Sequence, residues 1–336
     1  MGVRLKDIAR DLGVSTVTVS KVLRGASDVG KTTRARVLQR MKQLNYQPNL
    51  LARALASGQS FAVGLVVPDL VHPFFAEFAK SLGGVLRQSG FVLVLASSEE
   101  DPDIERNEIR TLLNRGVDAI LVASCRPQTI TQFFLGAEST PLLLIDRRFP
   151  SLATNFVGSD DVMVGELATR HLVEIGRKRI AHIGGKGISP SVDRLQGYRN
   201  VLAEAHIRTP KNYVVICEHF EETGDSAGYQ AMQELLGLKT RPDAVFCYND
   251  LSAIGAMQAA MDTGLRIPQD IAFVGCGNLR YAPYLKIPLT SIDQATDRMG
   301  EIAARLAIEL AGKSDQRPQV TLLEPTLVVR HSSAVL

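Results

Sequence analysis

The sequence predicts a two-lobed α/β core of parallel sheets flanked by helices, preceded by a small all-α unit. Three observations predict it. The first 60 residues carry 11 Lys and Arg against three Asp, a net of +8, whereas the remainder carries 27 against 32, a net of −5. Short helical periodicity broken by Gly and Pro fills that basic end. From Ala62 onward, continuous apolar runs alternate with helical ones, as they do where buried parallel strands are covered by helices on both faces.

Taken in order, Leu5 to Leu12 places Leu5, Ile8, Ala9 and Leu12 on one helical face, and Gly13 ends that helix. Ser15 caps the next, in which Val19, Val22 and Leu23 share a face and Thr16, Val17, Ser20 and Lys21 point outward. A third helix is expected from about Thr32 to Leu44, with Ala35, Leu38, Met41 and Lys42 to Leu44 toward its neighbours, before Tyr46 to Pro48 breaks it. Residues 49–56 are one or two turns of strong helix formers, too short to be stable alone in water, and 57–60 read as a flexible linker. The division expected is 1–48, an all-α domain; 49–61, a short helix and linker; and 62–336, the two lobes. Strands are expected in AVGLVV, FVLVLA, VDAILVA, PLLLID, KRIAHIG, YVVIC, DAVFCY and DIAFVGC, too many for one five- or six-stranded sheet, and residues 155–161 read as a passage between lobes.

Composition narrows the function classes. No stretch resembles a membrane span, and the N-terminus lacks the apolar run of a secretory signal, so a cytoplasmic protein is expected. Cys125, Cys217, Cys247 and Cys276 are far apart and the six histidines are scattered, which points to no disulfide framework, no metal site and no cofactor. Gly312 to Ser314 resembles the end of a P-loop, but Ala307 stands where that loop needs Gly; Gly184 to Gly187 lacks dinucleotide-binding spacing; and no G-x-S-x-G elbow occurs. Catalysis is not supported. A basic head on an acidic body suits phosphate-backbone binding by one end, against the bland reading of a solvated basic helix pair.

Val3 to Gly25 holds a helix, a Gly turn, a capped second helix opening on small polar residues, and surplus positive charge: a helix-turn-helix signature. With D-I-A-R-D-L-G-V-S, L-N-Y-Q-P-N-L-L-A-R-A-L, H-P-F-F-A-E, R-L-Q-G-Y, A-V-F-C-Y-N-D and P-L-T-S-I-D-Q, the whole chain resembles the LacI family of repressors. That resemblance implies a periplasmic-binding-protein-like core, a small-molecule effector of carbohydrate type, and a homodimer on a pseudopalindromic double-stranded operator. It also implies base reading by Thr16 and Val17, with Lys21 one turn on, although Val17 serves equally as a packing residue on periodicity alone. Ser15, Thr18, Ser20, Arg24 and Asn49 are the expected phosphate contacts. Leu55 is the expected minor-groove wedge, against the plainer reading of an amphipathic connector.

Ligands of parallel α/β lobes settle beyond the carboxyl ends of the strands. The residues that follow strand runs are Asp69, His72, Phe74 and Phe75; Asp146 and Arg147; and Asn249 and Asp250, where either aspartate could instead cap a helix. The resemblance adds Arg194 and Gln294. It also exposes a departure: V-G-C-G-N puts Gly277 where many members carry an effector-binding aspartate. Asn278 takes over, or Tyr281 or Tyr284 fills the space, or the effector is not the usual sugar, or strong ligand response is lost. Alternatives kept open are a purine or nucleoside corepressor, a ligand-independent regulator or activator, a solute-binding transport protein, and an α/β enzyme.

Overall fold

A computed structural model describes residues 3–23, 26, 28–46, 58–127, 140–217, 224–312 and 317–334. Two compact units are present, Met1–Ser60 and Phe61–Leu336.

In the first unit α1 (Leu5–Leu12) ends at Gly13, whose left-handed φ of 62° suits a residue without Cβ. The Ser15 hydroxyl accepts the Thr18 N–H at 3.0 Å and so caps α2 (Thr16–Leu23). Ile8, Ala9, Val19 and Val22 form the core with Val37 and Met41 from α3 (Lys31–Gln43). The inner face of α3 therefore differs in part from the expected one: Met41 and Leu44 turn inward as expected, but with Val37, at i, i+4 and i+7, while Ala35, Leu38, Lys42 and Gln43 are exposed. An ion pair at 2.6 Å between Arg40 and Asp11 fixes this rotation of α3 against α1.

In the second unit the first lobe runs β1 (Ala62–Val67), α4 (Pro73–Gln88), β2 (Val92–Ser97), α5 (Pro102–Asn114), β3 (Ala119–Val122), β4 (Leu142–Ile145) and β5 (Asn155–Ser159). The second runs α6 (Asp161–Glu174), β6 (Ile180–Gly185), α7 (Ser189–Glu204), β7 (Val214–Cys217), α8 (Gly224–Leu236), β8 (Ala244–Cys247), α9 (Asp250–Asp262), β9 (Ala272–Cys276) and β10 (Thr290–Asp293). The chain then returns through α10 (Thr296–Gly312) and β11 (Val320–Leu323) to the first lobe and ends on β12 (Thr326–Val328) in the second. The described residues form two six-stranded sheets, β11-β5-β4-β3-β1-β2 and β12-β10-β9-β8-β6-β7. All pairings are parallel except β10 with β12, because β12 follows a short third crossing and joins an edge from the opposite direction.

The passage expected at 155–161 is β5 followed by the first crossing, where the Asp160 carboxylate caps α6 through the Met163 N–H at 3.0 Å. Met299, Ala303 and Ala307 of α10 pack into the first lobe's core with Val63, Leu65 and Phe78, so that helix belongs to the lobe reached by the second crossing. Helix pairs in the second lobe touch backbone to backbone. A Cβ on Gly255 of α9 would stand 1.7 Å from the Asp225 carbonyl oxygen of α8, and one on Gly197 of α7 would stand 2.1 Å from the Val162 oxygen of α6. Neither neighbour is a movable side chain, and overpacking costs about 1–3 kcal/mol, more where backbone blocks relief. Gly255→Ala is therefore expected to destabilise the chain by about 3 kcal/mol or more in urea unfolding monitored by circular dichroism, whereas Gly264→Ala, at a left-handed but open turn, should cost about 1 kcal/mol.

Candidate functional site

The two sheets present their carboxyl ends to a common cleft, and side chains from both lobes and from the second crossing close over one small cavity. His72, Phe74, Phe75 and Asp146 line it from the first lobe; Arg194, Asn249 and Asp250 line it from the second, and Gln294 from the crossing. About 20 Å³ is left open, room for roughly one water. The lobes meet around it: Asn249 Nδ2 lies 3.3 Å from His72 Nε2, and the Arg148 guanidinium pairs with Asp193 at 2.7 Å while the Arg148 backbone N–H donates to Ser189 Oγ at 2.8 Å.

Each polar wall residue is positioned by its element. Asn249 caps α9, its Oδ1 accepting the Ser252 N–H at 2.8 Å. Asp250, the first residue of that helix, is not the cap: its Oδ1 accepts the Ser291 hydroxyl at 2.6 Å and its Oδ2 the Leu279 N–H at 2.8 Å. Burial raises its carboxyl to about 6, against the hydrogen bonds from Ser291 and Leu279. Asp146 caps no helix and sits at the end of β4 with φ +58°, its carboxylate 3.7 Å from Arg147 Nε. Arg194 Nε and Nη2 both reach Asp161 Oδ1 at 2.8 Å, Nη1 donates to the Tyr248 carbonyl at 2.7 Å, and the guanidinium lies over the Tyr248 ring. Burial raises the Asp161 carboxyl and the Arg194 charge opposes that rise. Gln294 is buried, and its Nε2 has no hydrogen-bond partner.

Two residues expected at the cavity lie beside it. Arg147 is buried beneath Phe75 and donates to the Ser124 carbonyl at 3.0 Å, and Asp69 accepts the Val71 N–H at 2.8 Å in its own turn. Tyr248, Leu251, Cys276 and Leu279 complete the wall without having been singled out as ligand contacts. Tyr248 falls inside the expected strand DAVFCY, whereas β8 ends at Cys247, so the strand-end rule starts one residue too late for it; Leu251 and Leu279 carry no polar signal to find them by. Gly277, at φ +125°, leaves the wall without a side chain there. Asn278 does not replace it, because its amide bridges Asp293 at 2.9 Å and Arg330 at 2.6 Å. Tyr281 and Tyr284 do not line the cavity either, and Tyr284 is 85% exposed.

In the first unit, Ser15, Thr16 and Val17 are exposed at the start of α2, and Thr18, Ser20 and Lys21 are half-buried along it. Val17 is 59% exposed, which removes it from the core and leaves its branched side chain on the surface. Lys21 forms an ion pair with Asp28. Arg24, Asn49 and Leu55 lie outside the described residues.

A basic helix-turn-helix in one chain with a two-lobed core that encloses an interlobe cavity defines a ligand-responsive DNA-binding regulator. Residues 4–49 match the bacterial regulatory proteins of the lacI family, and residues 169–333 match the periplasmic binding protein-like domain. The chain is 37% identical over 330 residues to the transcriptional regulator GalR of Salmonella typhimurium, covering 98% of this chain and 95% of that one. It is 34% identical to the ribose operon repressor of Haemophilus influenzae, over 98% of both. Among solved structures, the lac repressor dimer bound to operator and the anti-inducer ONPF superposes with a TM-score of 0.83 at 26% identity, over 99% of this chain and 100% of that one. The regulator CelR in complex with cellobiose gives 0.74 at 31% identity, over 98% and 100%. The chain belongs to the lacI family and is a DNA-binding transcriptional regulator. Among the described residues no helix is long and apolar enough to cross a membrane.

Asp250 links this site to pH. A carboxyl raised on folding contributes stability that is fully present below its ordinary value and is lost as pH rises through about 6. The stability of the wild type relative to Asp250→Asn is therefore expected to fall between pH 5 and 6.5, by no more than about 1.4 kcal/mol per pH unit, and to level off above pH 7. Urea titrations of both proteins across that range check the sign; a flat difference would mean that folding leaves the Asp250 carboxyl unshifted, and one that rises with pH that folding lowers it.

Proposed function

We propose that this regulator is a homodimeric, cytoplasmic repressor without enzymatic activity, which binds a pseudopalindromic operator and whose operator affinity is set by a small molecule held between the lobes. The observation that carries the reading is the convergence of both lobes and the crossing on one buried polar and aromatic cavity: a ligand there contacts both lobes at once and so shifts their equilibrium by its differential affinity. We divide the chain into a DNA-binding domain, 1–48, a hinge and linker, 49–61, and an effector and dimerisation core, 62–336. Two identical heads related by a twofold axis require two inverted half-sites.

In this reading Thr16, Val17 and Lys21 face base edges: a threonine hydroxyl, an exposed branched methyl pair suited to thymine C5-methyl, and an ammonium that reaches guanine or phosphate. Ser15, Thr18, Ser20, Arg24 and Asn49 hold the backbone, and Leu55 wedges the minor groove. The carbohydrate class of effector rests on the sugar-bound relative and on a wall of aromatic faces with Arg, Asp, Asn and Gln between them.

Selection of duplexes from a randomised pool by the full-length protein is expected to enrich a pseudopalindrome; recovery of unrelated sequences would overturn the repressor reading. On the selected operator, Val17→Ser should change the preferred base at one position of each half-site at a cost of about 10-fold in affinity. Leu55→Ala should weaken operator binding at least 10-fold while leaving ligand-induced thermal stabilisation unchanged. Equal operator affinity for Leu55→Ala and wild type would remove the wedge.

A further inference from the structure

We infer that Asp28 is a positioning residue that sets operator specificity: it holds the Lys21 ammonium as an oriented, charge-compensated donor that reads guanine and adds little to sequence-independent phosphate binding. The inference rests on the reading of α2 as the base-facing helix and comes from where one carboxylate stands in a basic unit.

The first 60 residues hold three acidic side chains. Asp7 accepts the Arg4 N–H at 2.9 Å in the first turn of α1, and Asp11 pairs with Arg40 of α3, so both tie the fold. Asp28 instead pairs with Lys21, the one charged residue of α2, which lies a turn beyond the exposed Val17. The Lys21 and Asp28 side chains are 41% and 56% exposed, so the pair is open to a duplex that approaches α2. The turn that carries Asp28 is anchored on both sides. Before it, the Ala26 N–H donates to the Lys21 carbonyl at 3.0 Å and the Ala26 carbonyl accepts from the Arg34 guanidinium of α3; after it, Val29 packs against the core of the unit. The carboxylate is therefore held in place, and the flexible lysine stem is what it orders.

A lysine ammonium is a compact charge with three N–H groups and no preferred plane. Left alone it answers any phosphate, because sequence-independent binding is driven by positive charge that displaces counterions. The carboxylate changes both properties. It compensates the charge to which phosphates respond, and a phosphate that drew the ammonium in would bring a like charge against Asp28. It also accepts one N–H, from Lys21 Nζ to Asp28 Oδ2, which leaves two. Guanine presents two acceptors in the major groove, O6 and N7, and the amino group of the paired cytosine beside O6 is a donor that a carboxylate faces without repulsion. A Lys–Asp pair thus suits the edge of a G·C base pair and disfavours the backbone.

The test puts full-length wild type, Asp28→Asn and Lys21→Met through selection from a randomised duplex pool and through salt titrations of fluorescence anisotropy on a dA·dT homopolymer duplex. Wild type is expected to enrich a guanine in each half-site that both variants lose. Asp28→Asn should bind the homopolymer about 3–10-fold more tightly at low salt, with a plot of log Kobs against log salt steeper by about 0.9, one further phosphate contact. Its melting temperature should stay within a few degrees of wild type, because a pair this exposed stabilises a fold little. If Asp28→Asn fails to fold, Asp28→Ser takes its place, with the same expected outcomes. Either a guanine retained by Asp28→Asn or an unchanged salt slope overturns the inference and leaves base reading by Lys21 standing. A guanine retained by Lys21→Met, or none enriched by wild type, overturns base reading by Lys21 and the inference with it.

Discussion

The buried ion pair between Arg194 and Asp161 is the contact on which the second lobe's geometry turns. Asp161 is the first residue of α6, immediately after the first crossing, and Arg194 lies on α7, whose glycine-mediated approach to α6 brings the two within 2.8 Å. Through Nη1 the same guanidinium holds the Tyr248 carbonyl at the end of β8. One side chain thus ties the crossing, a helix pair and a strand end together at the cavity's edge. Removing either partner of such a pair leaves an uncompensated buried charge, at about 3–5 kcal/mol. That cost makes the lobe intolerant of change here, and it fixes where the remaining N–H groups of Arg194 point.

A second polar network does for the other crossing what that ion pair does for the first. Asp250 holds Ser291 of β10 and the Leu279 backbone; Asn278 holds Asp293 and Arg330; Arg330 reaches the Leu289 carbonyl at 2.7 Å. These bonds join the loop after β9, the strand leading into the second crossing and the segment after β12. Gln294 follows directly on β10, so its placement in the cavity is a consequence of how firmly this network seats that strand. The same bonds explain why Asn278 does not act as a substitute for the missing acid at 277: its amide has a structural task two strands away.

Much of this was legible beforehand because apolar runs bury themselves in one way only. β1, β3, β4, β8 and β9 read as strands from continuous apolar runs, and the rule that ligands sit beyond strand ends gathers His72, Phe74, Phe75, Asp146, Asn249 and Asp250, which line one cavity. What stayed hidden has physical causes. β10 is Thr-Ser-Ile-Asp, a strand whose buried hydroxyls are satisfied by distant partners, and no local pattern announces such partners. On α3, Ala35, Val37, Leu38 and Met41 admit two apolar stripes, and packing against α1 and α2 selects the one that holds Val37 and Met41. Arg147 was misplaced because the strand-end rule does not tell which of two successive residues faces the cleft: Asp146, in the left-handed region, turns toward it, and Arg147 turns under Phe75.

The cavity's size bears on how a ligand and a distant DNA site can be coupled. With about 20 Å³ open, no hexose-sized molecule fits between lobes in this arrangement, so entry requires that the contacts across the cleft part. Among the described residues those contacts include Arg148 with Asp193 and Ser189, and Asn249 with His72. The Arg148–Asp193 pair is partly exposed and so worth about 1 kcal/mol at most. The cores on either side are, by contrast, large and separately closed, and the crossings between them are short. A ligand that touches both lobes moves the equilibrium between their arrangements by its differential affinity for them.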